Sequence, residues 1–179
     1  LDYNATTPCD PRVLETMLPY FSINFGNAAS KTHAYGWVAE EAVAIGREQV
    51  SRLIGADTTE IIFTSGATEA INLALQGVFE TYHSKGNHII TLQTEHKAVL
   101  DTCDSLERKG ANITRLEVDA NGLPDLIALE KAIQPNTILI AMMYANNETG
   151  IVMPVKEVGK LAKQRGVLFF TDATQAVGK

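Results

Sequence analysis

Asp172 and Gln175, in the segment Phe169-Phe170-Thr171-Asp172-Ala173-Thr174-Gln175, put a carboxylate and an amide at the C-terminal end of an apolar run. A carboxylate there needs a cationic partner, and a protonated ring nitrogen of a planar ligand is one such partner. Thr64-Ser65-Gly66-Ala67-Thr68-Glu69 follows another apolar run and opens a segment of helical period. At that helix start the N–H groups of Ala67 and Thr68 stand at the positive end of a dipole, and the hydroxyls of Ser65 and Thr68 complete a cup suited to phosphate. His96, in Thr94-Glu95-His96-Lys97, begins a further helix, where an imidazole that titrates near neutrality can stack on a ring or move a proton. Tyr144-Ala145-Asn146-Asn147-Glu148-Thr149-Gly150 adds two amides, either able to donate to a phenolate oxygen.

Each motif has a plainer reading beside it. The Gly66 segment also reads as a turn followed by a Thr cap, His96 as a capping or surface residue, and the double Asn as an Asx turn ending in Gly. Gln175 reads equally well as the start of a helix. His33, His83 and His88 keep the plain reading, since none stands at the C-terminal mouth of a strand. What favours chemistry is that four motifs fall at the C-terminal ends of apolar runs, the edge at which open α/β sheets bind ligands.

The elements that must position them follow from periodicity. From Glu60 onward, short apolar runs alternate with helical segments, which predicts βα units and a largely parallel sheet. Strands are expected over Ile61 to Thr64, His88 to Leu92, Ile113 to Val118, Thr137 to Tyr144 and Val167 to Asp172. Helices are expected over Ala67 to His83, Lys97 to Lys109, Leu126 to Ile133 and Val155 to Arg165, closed by Gly86, Gly110, Pro135 and Gly166. Val38, Ala42, Ile45, Gln49 and Leu53 recur at helical spacing and predict a long amphipathic helix before the sheet. The first 36 residues, punctuated by Pro8, Pro11 and Pro19, read as an irregular arm with one short helix near Arg12 to Pro19.

A chain of 179 residues with 45% apolar and 20% charged residues has the composition of a folded domain. A formal charge of −6 without any basic block excludes the usual footprint of a nucleic-acid binder. Cys9 and Cys103 make no disulfide framework and no C-x-x-C pair, so both read as reduced thiols of a cytoplasmic protein. No apolar run reaches the length of a membrane span. The start at Leu1-Asp2-Tyr3-Asn4, without methionine, reads as a trimmed N-terminus.

Taken in order, Leu1-Asp2-Tyr3-Asn4-Ala5-Thr6-Thr7-Pro8, Phe25-Gly26-Asn27-Ala28-Ala29-Ser30, Thr64-Ser65-Gly66-Ala67-Thr68-Glu69, Thr94-Glu95-His96-Lys97-Ala98-Val99-Leu100, Asn146-Asn147-Glu148-Thr149-Gly150 and Asp172-Ala173-Thr174-Gln175-Ala176-Val177-Gly178-Lys179 resemble the N-terminal half of the NifS and IscS type of cysteine desulfurase, within the class V aminotransferases. The resemblance covers the whole chain. It implies the large domain of the aspartate aminotransferase type I fold, a three-layer α/β/α architecture with a mainly parallel sheet. Residues 1–36 would contribute to a small domain, and 37–179 would form an incomplete cofactor-binding large domain. The implied activity removes sulfur from L-cysteine with pyridoxal 5'-phosphate, giving L-alanine and an enzyme-bound persulfide for iron–sulfur scaffold or other acceptor proteins. By the same resemblance Ala67 and Thr68 would hold the phosphate, and His96 would stack on the ring and take part in proton transfer. Asn147 and Gln175 would bond the phenolic oxygen, Asn147 would also touch the substrate carboxylate, and Asp172 would pair with the ring nitrogen, keeping it protonated so that the ring acts as an electron sink.

The family's cofactor lysine lies in a Ser-x-His-Lys segment on the strand after Asp172, beyond Lys179. The sulfur-accepting cysteine and the carboxylate-binding arginine are not among these residues either, and Cys9 and Cys103 match neither role. The chain thus reads as truncated before strands six and seven of a sheet ordered 3-2-4-5-6-7-1, inactive alone and drawn from a homodimeric enzyme. Two other readings remain open: a selenocysteine lyase or other class V enzyme, and an inactive fragment that serves as an assembly module.

Overall fold

The computed structural model describes Tyr3 and residues 6–179; Leu1, Asp2, Asn4 and Ala5, which belong to the first motif above, lie outside the described residues. The chain divides into two compact units, one running to Phe63 and taking in Gly178, the other running from Thr64 to Val177 with Lys179.

In the first unit, α1 (Pro11–Ser22) starts where the Asp10 side chain accepts the Arg12 N–H at 2.9 Å, with Pro11 at a position that needs no N–H donor. The next helix, α2 (Ala34–Ile54), is capped by His33 Nδ1, which accepts from the Gly36 N–H at 3.2 Å, and stops at Gly55, whose φ of 69° is the left-handed conformation glycine tolerates. The expected long helix is therefore present, but its apolar stripe is not buried: Val38, Ile45 and Leu53 are all exposed. After a 3-10 turn (Thr58–Glu60), the Ile61 carbonyl accepts from Arg47, whose guanidinium also stands 5.0 Å from the centre of the Phe63 ring.

The expectation of a strand over Ile61 to Thr64 is not met. That stretch has no ladder partner among the described residues, and a strand exists only where its N–H and C=O groups find one.

The second unit is built of α3 (Ala67–Tyr82), β1 (His88–Leu92), α4 (Lys97–Arg108), β2 (Asn112–Leu116), α5 (Leu126–Ala132), β3 (Thr137–Ala141), α6 (Val155–Arg165) and β4 (Leu168–Phe170). The sheet order is β2-β1-β3-β4 and every pair is parallel, the order expected for these four strands. Boundaries agree to within a few residues. The β3–β4 ladder also continues past the formal strand ends, with Met142 N–H donating to Phe170 O at 3.0 Å and Tyr144 N–H to Asp172 O at 2.8 Å.

Strand alternation sorts the core into two faces. Ile89 and Leu139 pack with Ile71, Leu75 and Phe79 of α3 and Val99, Cys103 and Leu106 of α4. Their neighbours Ile90 and Ile140 pack on the other face with Leu129 of α5 and Val158 and Ala162 of α6. This unit is accordingly a three-layer α/β/α sandwich, and β1 and β3 are buried at every position because both their faces are covered. At the N-terminal end of the sheet the fully buried His88 ring bridges Thr137 Oγ1 at 2.7 Å and Thr114 Oγ1 at 2.9 Å, and burial lowers its pKa. The plain reading of His88 as a capping or surface residue is therefore not met: it is a buried strand residue with both ring nitrogens bonded.

Candidate active site

The residues singled out by sequence all lie in the second unit. Lys109, just past α4, reaches Gln76 Oε1 at 3.3 Å and Glu80 Oε1 at 3.9 Å in the last turns of α3. The two helices therefore run side by side in the same direction, and their N-termini, at Ala67 and His96, share one end of the unit. Because α4 follows β1 directly, that end is the C-terminal edge of the sheet, where Asn147 follows β3 and Asp172 follows β4.

At α3, Gly66 caps the helix with open space where a Cβ would stand, and the first-turn N–H groups of Ala67 and Thr68 have no acceptor within the helix. Glu69 turns back over this end. Its Oε2 accepts from Ser65 N–H at 2.6 Å and Ser65 Oγ at 2.5 Å, and those bonds lower the pKa of its carboxyl group. Glu69 thus holds Ser65, the residue before the Gly66 cap, and with it the hydroxyl of the expected cup.

His96 is exposed and caps α4, its Nδ1 accepting from the Ala98 N–H at 3.1 Å. The bond assigns the proton to Nε2 in the neutral ring, leaving that nitrogen as the outward donor. Capping and availability thus coexist.

The two adjacent amides separate. Asn146 is buried, accepts from the Glu148 and Thr149 N–H groups at 2.9 Å each, and donates through Nδ2 to Thr94 O at 3.0 Å. It is the Asx turn of the plain reading, with a cross-link to the His96 loop besides. Asn147, next to it, is half-buried.

Asp172 is half-buried, and its Oδ1 accepts from Thr174 N–H at 3.0 Å and Thr174 Oγ1 at 2.6 Å. Those donors suit a carboxylate, and both fall on one of its two oxygens. Gln175 is half-buried and lies in a turn rather than at the start of a helix, with Ala176 N–H donating to Ala173 O at 2.9 Å.

Sequence reasoning quoted Glu95 without giving it a role. Only 5% of it is exposed, Oε1 accepts from the Met143 N–H at 2.8 Å, and Oε2 is buried with no partner among the described residues. Burial first, and then the Asp172 charge, push its pKa up to about 8 against the pull of the Met143 N–H. The signal was present: Glu95 lies shortly past the C-terminal end of β1 as Asp172 does past that of β4.

The aminotransferase class-V profile matches residues 1–179. The chain belongs to that family. This class-V protein is 55% identical over 179 residues to the cysteine desulfurase IscS of Anaeromyxobacter sp. (strain K), covering 100% of the chain and 44% of the relative. It is 54% identical over 181 residues to the IscS of Pectobacterium carotovorum subsp. carotovorum (strain PC1), covering 45% of that protein. The chain thus spans under half the length of the curated relatives it matches. Among solved structures, a NifS-like protein superposes with a TM-score of 0.95 at 40% identity, over 99% of this chain and 49% of the other. A protein titled SspA in complex with cysteine gives 0.93 at 40% identity, over 98% of this chain and 50% of the other. The class-V chain therefore has the α/β fold of the aspartate aminotransferase type that the sequence resemblance implied.

The donor set of this class-V edge fits pyridoxal phosphate. A helix start whose first-turn N–H groups have no acceptor within the helix suits the phosphate, and a half-buried carboxylate suits a protonated ring nitrogen. Among the described residues, no His, Cys, Asp and Glu cluster could hold a metal ion, and no helix is long and apolar enough to cross a membrane.

Proposed function

We propose that this chain is the N-terminal, cofactor-binding part of a cysteine desulfurase that uses pyridoxal 5'-phosphate to convert L-cysteine into L-alanine and a protein-bound persulfide. What supports the reading is position in the fold: His96, Asn147 and Asp172 each follow a parallel strand of one sheet and the α3 start lies toward the same end, on a chain 55% identical to a named cysteine desulfurase. Ala67 and Thr68 would bind the phosphate through their N–H groups. Asp172, held by Thr174, would bind the ring N–H and keep that proton in place. When bound, the cofactor supplies an electron sink for the substrate Cα.

His96, its Nδ1 fixed by Ala98, would stack on the ring and give or take a proton at Nε2. Asn147 and Gln175 would donate to the phenolic oxygen, and Asn147 also to the substrate carboxylate.

The reading extends to a homodimeric cytoplasmic enzyme that passes sulfur to an iron–sulfur scaffold or another acceptor protein, without nucleic-acid or membrane partners. Residues 1–36 would join a small domain and 37–179 the large one. Exposed apolar residues of α1 such as Leu18 and Phe21 support a role for that arm in further packing. These 179 residues alone are expected to be inactive, because Lys179 does not match the family's cofactor lysine.

The test is an assay of the intact protein containing this chain. It is incubated with L-cysteine, with and without pyridoxal phosphate, and alanine and reducible sulfur are quantified. Equimolar alanine and sulfur that depend on the cofactor are expected. A cofactor-loaded protein that makes neither refutes the reading, and a strong preference for selenocysteine would replace it with the lyase alternative.

A further inference from the structure

Glu95 joins two segments that carry site residues. It precedes His96, and through Oε1 it takes the Met143 N–H at 2.8 Å, on the path from β3 to Asn147. A parallel tie, Asn146 Nδ2 to Thr94 O at 3.0 Å, links the same two segments. The second carboxyl oxygen is buried without a partner among the described residues.

We propose that Glu95 is a positioning residue of the candidate site: its carboxyl group clamps the loop bearing His96 to the segment leading to Asn147, and leaves the anionic role at this edge to Asp172. What the clamp serves rests on the function proposed above; the clamp itself does not.

The groups that act electrostatically with Glu95 are Asp172 after β4 and Cys103 on α4. With a pKa of about 8, Glu95 is a protonated acid near neutrality, accepting through one oxygen and able to donate through the other. The Cys103 thiol, pushed by burial to about 11, is neutral as well. Asp172, with two donors from Thr174, is the better placed of the two carboxyls to be an anion. A neutral amide of the same shape can replace Glu95 in this role, whereas a hydrocarbon cannot.

Glu95→Gln and the volume-matched Glu95→Met are compared with the unsubstituted protein that carries this chain. Pyridoxal phosphate affinity is measured by equilibrium dialysis, and amide hydrogen exchange over residues 93–98 and 142–148 is measured without added cofactor. The Gln variant is expected to rescue both measurements. In the Met variant, loss of one buried bond should speed exchange in both segments by about tenfold and weaken affinity by about the same factor. Glu95→Ala carries the comparison if the Met variant does not fold.

Unchanged exchange in the Met variant overturns the proposal, and so does a Gln variant as damaged as Met. Faster exchange with unchanged affinity overturns the link to the site. An unsubstituted protein that binds no pyridoxal phosphate refutes the function proposed above, while the exchange result still decides the clamp.

Discussion

Glu95→Gln should change how the stability of the second unit depends on pH. The folded protein binds the Glu95 proton with a pKa of about 8, against 4.5 for an ordinary glutamate. Between those values the unfolded chain has lost a proton that the native protein keeps, so native stability falls as pH rises through the window. The slope for one proton is about 1.4 kcal/mol per pH unit. From pH 5 to pH 7.5 the loss is then roughly 3 kcal/mol, a large part of the typical stability of a domain. The size follows from the burial of Glu95, which is only 5% exposed, and from the single N–H that its carboxyl receives. Gln accepts the same N–H and has no proton to lose in this range. His88 acts in the opposite sense, because burial lowers its pKa and its contribution is lost as pH falls toward and below 6.5. It is common to both proteins, so the difference between them isolates Glu95. Cys103 stays protonated throughout at about 11. Urea unfolding at pH 5, 6, 7 and 8 should give a Gln-minus-Glu difference near zero at the acid end that grows by more than about 2 kcal/mol toward the alkaline end. A difference that stays flat with pH would refute the reasoning, since it would mean that Glu95 ionises in the native protein as it does in the unfolded one.

The remaining expectations concern the site and the core. In the intact protein, Asp172→Ala should raise the barrier to turnover by roughly several kcal/mol with much less effect on melting; near-native alanine production would remove Asp172 from the ring-nitrogen role. His96→Gln should slow turnover by about a hundredfold while cofactor stays bound, and an unchanged rate would leave His96 as a helix cap alone. When the 179-residue chain is incubated with pyridoxal phosphate, reduced with borohydride and peptide-mapped, no single lysine should be labelled stoichiometrically; such labelling near His96 would contradict the expectation. Leu75→Ala, which empties a fully buried position between α3 and the sheet, should cost about 2–5 kcal/mol in urea unfolding, and a loss below about 1 kcal/mol would contradict the packing described.

Much of this architecture was legible in the sequence, for identifiable reasons. The strand at His88 to Leu92 and the helix at Val155 to Arg165 were read to the residue, because a short β-branched, largely apolar run and an amphipathic period ended by Gly166 have few alternative folds. Strand order came with the family resemblance, and the helices read from the sequence are long enough to cross between parallel neighbours in that order. The strand expected over Ile61 to Thr64 failed because an apolar run shows that a segment can pair, not that a partner is present. The stripe of α2 misled in a similar way: period locates a helix, but burial depends on what lies opposite.

The site was legible as a set of positions and less so as a set of interactions. The rule that picks out polar residues at the C-terminal ends of apolar strands selects Asp172 and Glu95 alike. Partners are what separate them. Asp172 is half exposed and receives an N–H and a hydroxyl from Thr174, two residues away, an arrangement that Asp-x-Thr encodes locally. Glu95 receives one N–H, from Met143, which is 48 residues away and donates only because β1 and β3 lie side by side. No local pattern announces that bond. Two carboxyl groups at one edge therefore take opposite roles: the one with local donors and solvent can serve a cation, and the buried one holds its proton and serves the geometry.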